Sequence, residues 1–124
     1  MRNFNVMRGV LSTVAKADGE LGIDSFMWML QRNDVIDEIA RLKSDGIISG
    51  TMKFKKDLHE YVDGTISGLT DEGVEFYRLI ENDGVWEIVL ATLRKANIDI
   101  SYPLLKEVCE EIVKRYVTSC IPEI

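Results

Sequence analysis

The sequence has few of the residues from which metal sites and catalytic centres are built. Its 124 residues include one histidine, His59, and two cysteines, Cys109 and Cys120, which stand eleven positions apart. Zinc sites take clustered Cys and His ligands at short spacing, so the sequence predicts no metal site. His59 precedes Glu60 in a segment of strand character, where neighbouring side chains point to opposite faces. This favours a surface residue over a general base.

Motifs for nucleophilic catalysis and phosphate binding are missing too. The sequence contains no Gly-x-Ser-x-Gly, and Gly19 and Gly22 are not followed by Gly-Lys-Ser or Gly-Lys-Thr. We therefore expect a protein that has no cofactor and is not an enzyme. No uncharged run comes near the roughly 20 residues of a membrane span. Without an apolar leader at the start, and with two unclustered cysteines, the chain is predicted to be cytoplasmic.

Positive charge is also scarce. The chain has 15 Lys and Arg against 21 Asp and Glu, a net charge of −6, and residues 51–84 alone hold 4 basic and 8 acidic side chains. Non-specific binding to duplex DNA depends on cations that release counterions from the phosphates. The composition therefore disfavours nucleic acid as a partner, although it leaves room for a local basic patch.

What the sequence does contain is typical of one globular domain, here residues 1–124. It is 46% hydrophobic and 29% charged, with 2 Pro and 9 Gly. Apolar spacing predicts mainly helices, with one two-residue repeat that indicates strands. The predicted helices cover residues 3–16, 26–31, 33–45, 71–80, 85–95 and 102–118, and the predicted strands cover residues 48–54 and 58–62.

Several residues between these segments indicate where they begin and end. Asn33 or Asp34 is predicted to cap the third helix, Thr70 the fourth and Ser101 the last, because short polar side chains accept hydrogen bonds from the first helical N–H groups. Gly46 is predicted to end the third helix in the left-handed conformation. Residues 18–22 are predicted to be a loop, residues 63–64 a turn or bulge, and Trp86 a largely buried side chain.

In a winged helix, three helices are followed by a two-stranded hairpin, and the third helix leads directly into it. The predicted elements have this order. The predicted fold class is therefore mainly α (α+β), with a winged-helix core over residues 1–81 and a helical extension over residues 85–119. The segments Leu69–Phe76 and Asn82–Trp86 carry a further resemblance. They resemble the region after the wing in the YjcQ-like uncharacterised proteins of bacterial prophages. That resemblance implies the winged-helix fold and a phage or mobile-element setting, and it implies no chemistry.

The polar face of the third helix bears on the partner of such a domain. In a DNA-binding winged helix the third helix enters the major groove. Here that face carries one arginine, Arg41, among carboxylates that phosphates would repel, which favours protein over DNA. Arg41 and the hairpin lysines are the possible nucleic-acid contacts. For the lysines the sequence favours the alternative, in which they protect an exposed strand edge from pairing with other chains. The carboxylates are Asp34, Asp37, Glu38 and Asp45, and the lysines are Lys53, Lys55 and Lys56.

Two further segments are candidates for contacts with other chains. The second helix has five consecutive large apolar residues, which cannot all face inward at 100° per residue, so Met27 or Trp28 is predicted to point away from the core. The alternative is a short helix that is tightly buried. In the first case Met27 and Trp28, with Asp34, Asp37 and Glu38, form the predicted protein-binding site. The last helix has a wide apolar stripe that either packs within the chain or makes a homodimer. The sequence thus favours a non-enzymatic protein that binds a host regulatory or defence protein; the alternative is a DNA-binding transcriptional regulator.

Overall fold

The computed structural model describes residues 3–26, 32–58 and 60–121. Within these ranges the chain is mainly helical and has a three-stranded antiparallel sheet, which confirms the predicted α+β class. The elements are α1 (Phe4–Lys16), β1 (Leu21–Gly22), a 3₁₀ turn (Ile23–Phe26), α2 (Arg32–Ser44), β2 (Ile48–Lys55), β3 (Glu60–Leu69), α3 (Asp71–Ile80), α4 (Asp83–Ala96) and α5 (Tyr102–Ser119). Across the described ranges, no helix is both long enough and apolar enough to cross a membrane.

The chain divides into two compact units, the first within residues 3–77 and the second beginning at Arg78. In the first unit, α1 packs against α2 and β3. Each of these helices buries one apolar stripe, as the spacing predicts, because residues three and four apart lie on the same helix face. The fully buried side chains of this unit are Val6, Met7, Val10, Leu11, Ile23, Phe26, Val35, Ile39, Leu42, Ile47, Ile66 and Phe76.

The sheet of the first unit has the order β1-β3-β2. β1 lies in the segment predicted to be a loop, where Leu21 pairs with Ile66 and Gly22 with Thr65. That prediction was wrong, because a strand of two residues is too short to show an alternating pattern. β1 exists through its pairing with β3, which lies more than 40 residues further along the chain.

β3 is also longer than predicted and runs through Asp63 and Gly64 without a turn. Its pairing with β2 shifts register twice. Lys53 pairs with Asp63 and Phe54 with Tyr61, so one residue of β3 is unpaired directly before Asp63. A second residue is unpaired between Ile66 and Gly68. At the predicted turn or bulge the strand thus has a bulge next to Asp63, and the second bulge was not predicted. Bulges bend a strand and increase its twist without ending it.

α2 begins at Arg32, before both of its predicted caps, Asn33 and Asp34. Its end agrees with the sequence: Gly46 has φ +78°, the left-handed conformation that glycine adopts at no steric cost. The Ile47 N–H then donates to the Leu42 carbonyl oxygen at 2.9 Å. This turn directs the chain from α2 straight into β2.

Thr70 connects the end of β3 to that same turn. Its Oγ1 accepts a hydrogen bond from the Gly73 N–H at 3.0 Å, which confirms the predicted cap of α3. The same hydroxyl lies within hydrogen-bond distance of the carbonyl oxygens of Gly46 and Ile47, to which it donates. The Thr70 N–H also donates to the Ile47 carbonyl oxygen at 3.0 Å. One residue thus caps a helix and closes the base of the hairpin.

Gly73 brings α3 against the same carbonyl. A Cβ atom at Gly73 would clash with the Ile47 carbonyl oxygen and lie 3.0 Å from its carbonyl carbon. Since both are backbone atoms, no side-chain rotation relieves the contact. The first turn of α3 can therefore approach Ile47 only with glycine at this position.

In the second unit, α4 packs against α5. Asn82 caps α4 by accepting a hydrogen bond from the Val85 N–H at 3.1 Å, so α4 begins two residues before its predicted start. Ser101 stands at the N-cap of α5, as predicted, but its side chain makes no capping hydrogen bond. Trp86 is 5% exposed, which confirms its predicted burial. The other buried side chains of α4 and α5 are Val85, Val89, Leu93, Leu105, Cys109 and Ile112.

Replacing Thr70 with alanine should lower the free energy of unfolding by about 1–2 kcal/mol, because it removes the cap and leaves the Gly73 N–H without its acceptor. Urea denaturation monitored by circular dichroism measures this change. Thr70→Ser keeps the hydroxyl and should retain most of the stability. Equal losses in both variants would show that the methyl group, and not the hydroxyl, is what matters at this position.

Gly73→Ala should destabilise the chain by roughly 1–3 kcal/mol, as expected when an added methyl group forces backbone to move. Gly19→Ala is the matched control, because a Cβ at Gly19 meets nothing within 4 Å. Thermal unfolding of the two variants side by side tests the contact. A Gly73→Ala protein as stable as the control would mean that α3 does not approach Ile47 closely.

Candidate protein-binding surface

The exposed side of α2 carries Asp34, Asp37 and Arg41, which we call the α2 face. The two aspartates are exposed and Arg41 is half-buried. The three residues are spaced by three and four positions, which places them on one stripe of the helix. Behind that stripe, Val35, Ile39 and Leu42 fix the helix to the core with no exposed surface. The helix therefore presents two carboxylates at the positions that the sequence predicts.

Glu38 does not belong to this surface. Its side chain is only 4% exposed, although the sequence placed it on the polar face of the helix. Glu38 lies between the stripe of Asp34 and the buried stripe of Leu42, and at this border a long side chain is covered by the core. Asp45, beyond the helix end, is half-buried. The predicted set of exposed carboxylates is thus reduced to Asp34 and Asp37.

The hairpin of β2 and β3 carries the predicted basic residues. Lys53, Lys55 and Lys56 are all exposed. In the pairing of the strands, however, Lys53 stands opposite Asp63 and Lys55 opposite Glu60. Including Asp57 in the turn, residues 53–63 hold three basic and three acidic residues. The hairpin as a whole is therefore neutral in its count of charged residues.

Two large apolar side chains accompany these lysines. Phe54 is 49% exposed and Leu58 is 57% exposed. The hairpin therefore ends in a mixed surface in which apolar and charged groups alternate, as at the border of many protein–protein contacts.

Met27, Trp28 and His59 lie outside the described residues. The placement of Met27 and Trp28 as the apolar centre of the protein-binding site stays a prediction. So does the surface position of His59.

The second unit has a groove between α4 and α5 with a volume of about 730 Å³. Ile88, Val108 and Ile112 provide its apolar part. On its rim, Nε of Arg115 lies 3.4 Å from a carboxylate oxygen of Glu111 one helical turn earlier. We call this feature the α4–α5 groove. The sequence did not predict it, because the groove depends on how two helices pack and not on the pattern of either one. Its other lining residues are Thr92, Glu107, Glu110, Lys114, Tyr116 and Ser119.

The two cysteines occupy different environments. Cys109 is fully buried in α5, and Cys120 is exposed at the end of that helix. Burial raises the pKa of the Cys109 thiol to about 12, and the negative charge of Glu110 adds to the effect. Its thiol stays protonated at neutral pH and acts as a small apolar core group. Nowhere in the described ranges do three metal-ligating side chains come together.

Comparisons of the chain with protein-family models, curated proteins and solved structures give no match.

At pH 8, a thiol reagent such as DTNB should react rapidly with one cysteine per native chain, because only the Cys120 thiol is open to solvent. Cys120→Ser should abolish the rapid reaction, whereas Cys109→Ala should leave it unchanged. Absorbance of the released thiolate gives both the rate and the stoichiometry. Two rapidly reacting thiols in the native protein would contradict the burial of Cys109.

Proposed function

We propose that residues 3–77 form a winged-helix domain. Three features support this proposal: helix α1 is followed by the short strand β1, α2 leads directly into the hairpin, and the strand order is β1-β3-β2. The helix predicted over residues 26–31 completes the three-helix core in this proposal. With the resemblance to the prophage family, the fold suggests a cytoplasmic protein of phage or mobile-element origin.

We further propose that the chain is a non-enzymatic binding protein whose α2 face contacts a basic surface on another protein, such as a host regulatory or defence factor. The observation that carries this proposal is the exposure of Asp34 and Asp37 on α2. In a winged helix this is the helix that would otherwise meet the DNA. Two carboxylates there repel phosphates, and they complement lysine or arginine side chains of a protein partner.

The charges on the hairpin favour the same conclusion. A wing that binds the DNA backbone needs a local excess of cations. Lys53, Lys55 and Lys56 are balanced by Asp57, Glu60 and Asp63 within the same hairpin. The chain as a whole carries a charge of −6. Both the local and the overall charge thus weaken attraction to DNA.

A DNA-binding transcriptional regulator remains the second candidate. The exposed positions of Lys53, Lys55, Lys56 and the half-buried Arg41 favour it. In this case the lysines would contact phosphates, and Arg41 would reach a phosphate or a base edge.

The first test measures DNA binding directly. Fluorescence anisotropy with duplexes of mixed sequence should give a Kd weaker than about 10 μM at physiological salt, within the range of non-specific contact. A sub-micromolar complex that depends on the DNA sequence would favour the regulator. Lys53→Ala/Lys55→Ala/Lys56→Ala should then reduce both the affinity and its salt dependence.

The second test concerns the α2 face. Nuclease-treated bacterial lysate is passed over immobilised wild-type protein, over Asp34→Lys/Asp37→Lys and over the control Asp18→Lys/Glu20→Lys. The control makes the same change in charge at two exposed loop residues of the same unit. We expect wild type and control to retain the same bound proteins and the α2 variant to lose them. Equal retention by all three would exclude the α2 face as the contact.

A homodimer through the last helix is a separate expectation. It concerns α5 in the second unit, so it neither requires nor excludes binding through the α2 face.

A further inference from the structure

We infer that the α4–α5 groove is a contact surface between two copies of this chain, whose α5 helices run antiparallel across it. The surface lies in the second unit and shares no residue with the α2 face. The inference thus goes beyond the proposed function, and either one can fail without the other.

The charged residues of α5 are ordered by sign along the helix. Glu107, Glu110 and Glu111 occupy the middle of the helix, and Lys114 and Arg115 follow directly. All five side chains are exposed and line the groove. The groove rim therefore changes from acidic to basic along the helix axis, with the change near Ile112 and Val113. On a chain with a net charge of −6, this surface is polarised and not simply acidic.

A surface that is acidic at one end and basic at the other matches a second copy of itself in only one orientation. When two α5 helices run antiparallel around a two-fold axis near residues 112–113, the acidic segment of each lies beside the basic segment of the other. Glu111 of one copy then comes within reach of Arg115 of the second, and the symmetry repeats the contact. A parallel pair would instead place like charges side by side, which costs free energy.

Apolar side chains lie beside the acidic segment of this surface. Ile88 on α4 is 43% exposed, and Val108 on α5 is half-buried beside it in the groove. Leu104, also 43% exposed, lies one turn before Val108 on the same side of α5. Protein–protein contacts usually combine apolar and charged side chains in this way. An 18-residue helix is about 27 Å long, which gives the contact room to include the groove and both charged segments.

A second copy suits this surface better than a partner of one charge. A basic partner would be repelled by Lys114 and Arg115, and an acidic partner by Glu107, Glu110 and Glu111. The complementary surface must carry both signs in reversed order. An antiparallel α5 has that order.

Sedimentation-velocity centrifugation over a concentration series tests the inference with the full chain. Wild type should be in monomer–dimer equilibrium. Glu107→Lys/Glu111→Lys makes four of the five rim charges positive, and Lys114→Glu/Arg115→Glu makes all five negative. Each variant should therefore weaken self-association by roughly tenfold or more. An equimolar mixture of the two should form a heterodimer, since one helix is then basic and the other acidic. Added salt should weaken that heterodimer.

Two controls separate the contact from misfolding and from net charge. Circular dichroism should show that both variants keep the helical content of wild type, because the changed side chains are exposed. Asp18→Lys/Glu20→Lys, which alters the charge far along the sequence, should leave self-association unchanged. A wild-type chain that is monomeric at every concentration would overturn the inference. So would a dimer that neither variant weakens, or variants that fail to associate when mixed.

Discussion

The first unit depends on a set of backbone contacts around one carbonyl group, that of Ile47. This oxygen accepts a hydrogen bond from the Thr70 N–H, lies within reach of the Thr70 hydroxyl and packs against the bare Cα of Gly73. Ile47 itself is fully buried, directly after the left-handed Gly46. The end of α2, the base of the hairpin and the start of α3 therefore meet at one point. Because buried backbone groups must be paired, the contacts at this point are mutually dependent.

Features with a local cause could be predicted from the sequence, and features with a distant cause could not. Gly46, the Thr70 cap and the burial of Trp86 each follow from a few neighbouring residues, and the structure confirms them. β1 depends on a partner strand far along the chain, and the length of β3 depends on bulges that interrupt its alternation. β1 has no signal in its own segment, and Asp63 and Gly64 indicated a turn or a bulge without deciding between them.

The candidate surfaces show the same division. The exposure of Asp34 and Asp37 follows from helical periodicity, whereas the burial of Glu38 depends on what the border of the helix meets in the folded chain. The α4–α5 groove forms only where two helices pack together, so the pattern of neither helix alone predicts it. Charge, in contrast, can be counted without a structure, but its effect depends on position. Asp63 weakens the basic character of the hairpin because the register places it opposite Lys53.

The closure at Ile47 and Thr70 also bears on how this molecule can vary in evolution. The 22 residues between Ile47 and Thr70 include the whole hairpin. The hydrogen bond between Thr70 and Ile47 holds the two ends of the hairpin together at its base. Exposed loop tips accept insertions and substitutions far more readily than the packed segments that support them. In relatives of this chain, the length and the charge of the hairpin can therefore change while the helices that support it stay the same. Such changes in the hairpin would leave the residues of the α2 face unaltered.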